Sequence, residues 1–329
     1  MAPIKDFPRK RLDLKNPNNI KKYKGTRLGI VVLFFGTIVL SFLLWFKNQA
    51  KDLWQKVTAP SVYRISKSNE QELEDVLGIK PNLAGLEGVK KSTELLVQGL
   101  QGEYGVYFYQ LKQNEFFGIN EDQVFTAASV NKVPIIVSFY QKVDEAKLSE
   151  NEIYTLKKED VQDYGTGSMR YDEAGTVYSY LKLVELSGKE SDNTAALVLL
   201  NLLGGDIEQH FKALKMKNTS LEENTTTPKE MGDYWVKLYN FELISSKSTE
   251  KVLDVLTNTQ FEDRISKGVP EYIDVSHKIG NEIQVVNDCG IILSNNPYVL
   301  CVLTRGVFEE EALKVIPKIS RLIWEFAKK

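Results

Sequence analysis

The chain is poor in the residues that build metal and redox centres. Among 329 residues there are two cysteines and two histidines. His210, His277, Cys289 and Cys301 lack the spacing of a conventional structural zinc site. No Gly-rich dinucleotide or phosphate loop occurs, and no internal repeat recurs at a fixed period. Cys289 and Cys301 flank the turn Asn295-Asn296-Pro297 in two apolar runs. They read first as small core residues; pairing across neighbouring strands in an oxidising compartment is the other reading.

What is present begins with an uneven charge distribution. The whole chain carries −2. Residues 1–27 hold nine Lys and Arg against Asp6 and Asp13, a net of +7, so the remainder carries −9. Between them, Leu28 to Phe46 is nineteen residues without a charge. As a helix it would span roughly 28 Å, about one hydrocarbon core. It is apolar on every face and flanked by charge, which argues against a buried core helix. The basic flank predicts a cytoplasmic N-terminus with the bulk of the chain outside. The long basic region and the lack of a small-x-small site favour a retained signal anchor over a cleaved signal peptide. No cysteine lies near the span for a lipid anchor.

Residues 47–82, polar and punctuated by Pro60 and Pro81, read as a stalk. About 247 residues remain, which suits one two-lobed domain over 83–329. A helical pattern runs from Leu83 to Leu100, followed by a strand from Tyr104 to Tyr109 and a hairpin partner at Phe116-Phe117-Gly118. Helices follow at Val133 to Val143, Leu181 to Leu186, Thr194 to Leu203 and Pro228 to Tyr239. Strands return at Val285 to Leu293 and Tyr298 to Leu303 as a hairpin, and Glu309 to Ala327 is an amphipathic helix. This order predicts an α/β (α+β) domain. Both chain ends build its antiparallel sheet and flanking helices, and an all-helical lobe is inserted.

Three short motifs occur in one order: Ser129-Val130-Asn131-Lys132, Ser191-Asp192-Asn193, and His277-Lys278-Ile279-Gly280. They supply a serine nucleophile, two lysines, a second serine and an amide, a kit for acyl transfer without a histidine base. Ser-x-x-Lys alone is weak, since it recurs at Ser179 and Ser248, where a solvated helix surface is expected. Order, spacing and flanks add weight: Phe125-Thr126-Ala127-Ala128, Thr194-Ala195-Ala196, Asn224-Thr225-Thr226-Thr227-Pro228 and Val299 to Gly306. From about Leu83 onward the chain resembles the class A β-lactamases and penicillin-binding proteins.

A serine hydroxyl needs a base to become a good nucleophile. Three residues apart at a helix start, Ser129 and Lys132 share a face. Lys132 must be neutral to accept a proton, and burial beside another ammonium favours that. Pro134 suggests some distortion of this helix, while Val130 and Asn131 are expected only to pack or face solvent. By resemblance, Ser191 relays a proton, Asn193 bonds Lys132 and substrate, and Lys278 neighbours Lys132 and attracts a substrate carboxylate. Gly280 allows close approach, and the backbone N–H groups of Ser129 and Asn281 form an oxyanion hole. Asp192 reads as a loop holder, with Ser191 or Asp192 as a helix cap, and His277 as a packed strand residue.

Two departures from the family stand out. Ile279 replaces a hydroxyl residue after Lys278. The segment from Met216 to Glu223 is about a dozen residues short of the family's loop and lacks its Glu-x-x-Leu-Asn element. Glu222 and Glu223 fall nearby without its spacing and read as an exposed turn. The resemblance implies a serine hydrolase acting through an acyl-enzyme on β-lactams, with slow deacylation, and the apolar segment adds a membrane anchor. A D,D-peptidase acting on D-Ala-D-Ala ends, or a non-hydrolysing receptor for wall fragments, is the alternative. No metal, organic cofactor or nucleic-acid partner is implied.

Overall fold

The structure is a computed structural model that describes residues 68–329. The apolar segment Leu28 to Phe46 lies outside the described residues. Among those described, no helix is long and apolar enough to cross a membrane.

Five strands form one antiparallel sheet: β1 (Glu103–Gln110), β2 (Glu115–Ile119), β7 (Asp274–Glu282), β8 (Val285–Leu293) and β9 (Tyr298–Arg305). Their spatial order is β2-β1-β9-β8-β7. Alternation along the strands divides the sheet between two cores. Val106, Phe108, Leu300 and Val302 face one core, closed by α9 (Glu309–Ala327) and α2 (Gly85–Val97). Tyr107, Cys289, Val299 and Cys301 face the other, with α7 (Pro228–Tyr239) and the helical block. That block holds α3 (Lys132–Asp144), α4 (Tyr180–Lys189), α5 (Asn193–Leu203), α6 (Asp206–Ala213) and α8 (Ser246–Val255). The antiparallel sheet flanked by helices is the architecture expected from the order of elements.

The structure corrects the sequence reading in several places. The inserted block is not all-helical: β3 (Phe125–Thr126) pairs with β6 (Thr225–Thr226), and β4 (Ile153–Thr155) with β5 (Val177–Ser179). Strands of two or three residues leave too few positions for alternation to register. Residues 68–77, expected within the stalk, form helix α1 (Ser68–Leu77). Leu73 and Leu77 are buried against the α9 side of the sheet. The four acidic residues Glu70, Glu72, Glu74 and Asp75 mask this short apolar edge in the sequence.

Cys289 and Cys301 sit directly opposite each other on β8 and β9 and form a disulfide. The less favoured of the two readings therefore holds. Pro134 lies at the third position of α3, in its first turn, where its missing N–H costs little.

Candidate active site

The turn carrying Ser129 is a 3₁₀ helix, Ala128–Asn131, that runs directly into α3 at Lys132. In a 3₁₀ turn residues i and i+3 eclipse, so the Ser129–Lys132 spacing aligns the pair more closely than an α-helical turn would. Ala128 enters the turn at φ 50°. A left-handed alanine is costly and persists only where its surroundings fix it. Here the fixing comes from both sides. Ala127 N–H donates to Asn224 O at 2.8 Å, and a Cβ on Gly280 of β7 would lie 2.6 Å from Ala127 O. Gly280 is thus the residue that lets β7 approach the turn.

The second motif is also bent. Ser191 has φ 56° and is buried. Asp192 caps α5, accepting from Ala195 N–H at 2.8 Å and also from Met169 N–H at 2.8 Å. It holds the loop, as the sequence suggested. This bend delivers Ser191 and Asn193 to Lys132. The Lys132 ammonium nitrogen, Nζ, donates to Asn193 Oδ1 at 2.7 Å, to Ser191 Oγ at 3.2 Å and to Ser191 O. All three partners are neutral oxygens. Burial therefore lowers the Lys132 pKa to about 7, against the opposing pull of Asp192.

Lys278 is buried behind the cleft, its Nζ 6.0 Å from the centre of the Phe261 ring. Burial, and then the ammonium of Lys132, push its pKa well down. His277, one residue earlier, is held differently. Its Nδ1 lies 2.8 Å from Asp288 Oδ1, and its Nε2 lies 3.2 Å from Glu262 Oε1. Burial works against its charged form, but the two carboxylates outweigh burial and raise its pKa to about 9. It is more than a packed strand residue. Beside it, Arg264 donates to Asn287 O and to the side chain of Asn281, which fixes Asn281 at the end of β7.

Ser129, Lys132, Ser191, Asn193 and Asn281 line one cleft of about 550 Å³, within the range of small-molecule sites. Lys278 and Gly280 stand behind its wall. The other lining residues include Gln162, Tyr164, Thr166, Leu221, Phe261 and Glu282. None belongs to a motif; Glu282 ends β7 just after the third motif, and only position around the motifs could have flagged the rest. Asn131 departs from its expected role: it is buried and donates to Ser220 O at 3.1 Å and Thr225 O at 3.4 Å, pinning the short loop. Glu222 and Glu223 are exposed, as expected of a turn, and do not line the cleft. Nor are the extra Ser-x-x-Lys matches solvated surfaces. Ser179 caps α4, and Ser248 is buried, donating to Asp144 Oδ1 at 2.6 Å.

A serine on a strained turn, a buried lysine near neutrality and a second serine in one cleft define a serine acyl hydrolase. The chain belongs to the beta-lactamase enzyme family, whose model matches residues 89–327, and is class A β-lactamase-like. It is 24% identical over 267 residues to Beta-lactamase VEB-1 of Pseudomonas aeruginosa, covering 71% of this chain and 88% of that one. Among solved structures, a mutant of PBP-A in an acyl-enzyme complex with penicillin G is 27% identical, with TM-score 0.69, covering 74% of this chain and 98% of that one. A beta-lactamase from Sphaerobacter thermophilus DSM 20745 is 26% identical, with TM-score 0.68, covering 74% and 97%.

Proposed function

We propose that Ser129 attacks the carbonyl of a β-lactam and is acylated, and that the acyl-enzyme then hydrolyses slowly. Lys132 is the acylation base and Ser191 passes the proton to the leaving nitrogen. Asn193 orients Lys132 and the substrate amide, and the Gly280–Asn281 edge of β7 lies along the substrate; Lys278, buried behind that edge with its charged form disfavoured, backs the site instead of meeting the carboxylate expected from the sequence. The observation that carries this reading is the environment of Lys132. Three neutral oxygens hold a buried amine whose pKa is about 7, the condition for a general base at neutral pH. The PBP-A mutant captured with penicillin G supports an acyl-serine intermediate on this fold.

Slow release follows from the loop. Residues 216–224 place no carboxylate on the cleft wall, and a positioned base is worth ~10²–10⁴-fold in such a step. The same feature favours a second reading, a D,D-peptidase of cell-wall peptides. The test is mass spectrometry of the full chain after brief mixing with penicillin G. One adduct per chain, decaying slowly, is expected, and none in Ser129→Ala. Labelling that survives Ser129→Ala would overturn the assignment. Hydrolysis of a D-Ala-D-Ala peptide faster than of penicillin would favour the peptidase.

We further propose that residues 1–27 are cytoplasmic and 28–46 cross the membrane, and that the chain beyond them leads outward to an extracytoplasmic hydrolase domain that includes helix α1 (Ser68–Leu77). The disulfide, a bond of oxidising compartments, supports this orientation. Protease added to intact cells should digest the hydrolase domain; digestion only after lysis would refute it.

A further inference from the structure

Hydrolysis of an acyl-serine ester requires a group that takes a proton from water. The acidic side chains on the short loop, Glu222 and Glu223, are exposed and do not line the cleft. One carboxylate does stand on its wall: Glu282, the last residue of β7 and the sole acidic residue among those described as lining it. It stands exposed beside Asn281, which also lines the cleft. On the same strand Gly280 abuts the Ala127–Val130 turn that bears Ser129. Glu282 lies two residues further along, roughly 7 Å.

Its carboxylate is oriented. Glu282 Oε1 accepts from Asn224 Nδ2 at 2.8 Å. Asn224 is itself fixed, with its carbonyl accepting from Ala127 N–H at 2.8 Å and its backbone at φ 49°. Carboxylate, amide and nucleophile turn are thus tied into one unit. The tie is a neutral amide, which orients the carboxylate.

Resting on the acyl-enzyme reading above, we propose that Glu282 is the general base of the slow deacylation, weaker than a buried loop carboxylate because it is exposed to solvent. It takes a proton from a water in the cleft as the water oxygen bonds to the acyl carbonyl carbon. Collapse of the tetrahedral adduct breaks the bond from that carbon to Ser129 Oγ. The proton passes to Oγ, which restores the hydroxyl and releases the carboxylic acid. Asn224 is a positioning residue that aims the carboxylate.

The experiment follows adduct formation and adduct decay separately, by intact mass of the full chain with penicillin G. Glu282→Gln should slow decay about 10²-fold while formation changes less than about threefold. Glu282→Asp should recover part of the loss. Asn224→Gly, which keeps the left-handed backbone and removes the amide, should slow decay about tenfold. Melting temperatures of all three confirm folding. Unchanged decay in Glu282→Gln overturns the proposal. So does an effect confined to formation with an ammonium-bearing penicillin, which would make Glu282 a recognition group. If the unaltered protein forms no adduct at all, the acyl-enzyme reading fails and this proposal falls with it.

Discussion

Lys132, on the cleft wall, and His277, on β7 outside the cleft lining, are both basic and both buried, yet the structure drives them in opposite directions. Lys132 meets the oxygens of Ser191 and Asn193 and falls to about 7. His277 meets the carboxylates of Asp288 and Glu262 and rises to about 9. Desolvation acts against the charge in both. The formal charge of the hydrogen-bond partners decides the outcome. One site keeps a base ready to accept a proton, whereas the other locks a proton in place behind β7.

The largest expected effect comes from removing the discharged member. Lys132→Met keeps the length and bulk of the side chain without the amine. The acylation rate should fall ~10²–10⁴-fold, measured as adduct formation at neutral pH. Removing a partner of the charged member should act on stability instead. Asp288→Asn leaves a buried imidazolium short of one carboxylate and should cost about 3–5 kcal/mol in denaturant unfolding. A variant that melts like the unaltered chain would show that the two carboxylates do not hold a charged His277.

The same cluster sets a pH window. His277 has its folded pKa raised from 6.5 to about 9. Its contribution, on the order of 3 kcal/mol, is full below pH 6.5 and is lost as pH rises to about 9. Glu262 is depressed from 4.5 to about 2, because the His277 pair outweighs its burial. Its contribution is present above pH 4.5 and is lost as pH falls to about 2. Unfolding experiments across pH should find the cluster's support greatest between about 4.5 and 6.5. The smallest effect should come from making the Lys132 site resemble the His277 site. Asn193→Asp places a carboxylate on Nζ, which should move the rise of the acylation rate with pH upward by about one unit. Adduct formation at pH 7 should then drop about fivefold. An unmoved pH profile would break the comparison.

How far the sequence reveals this site follows from the same physics. Ser129, Lys132, Ser191 and Asn193 are legible because the chemistry demands those residue types at short range. The helices Pro228–Tyr239 and Glu309–Ala327 are legible to the residue, since Thr227 and Pro228 open one and a strong apolar stripe marks the other. Whatever depends on long-range contact is not. The Glu262–His277–Asp288 cluster joins residues 15 and 11 positions apart, with no periodicity to link them. Asn131 looks like a spacer until it bonds the short loop 89 residues later. The left-handed Ala128 and Ser191 carry none of the glycine that usually announces such backbone. Their strain is visible only once the turn is built.

The register of β1 against β9 constrains how the chain is made. Glu103 pairs with Arg305, 202 residues later. On a ribosome, β1 and β2 emerge early, yet the edge of β1 opposite β2 has no partner until β9 has left the exit tunnel. The intervening helices are rich in local contacts and can form first, whereas the sheet must wait for nearly the whole chain. During that interval the unpaired edge of β1 is open to pairing with another chain. Synthesis halted before Tyr298 would therefore yield a helical block without a closed sheet, and a nascent chain that chaperones must shield until β9 arrives.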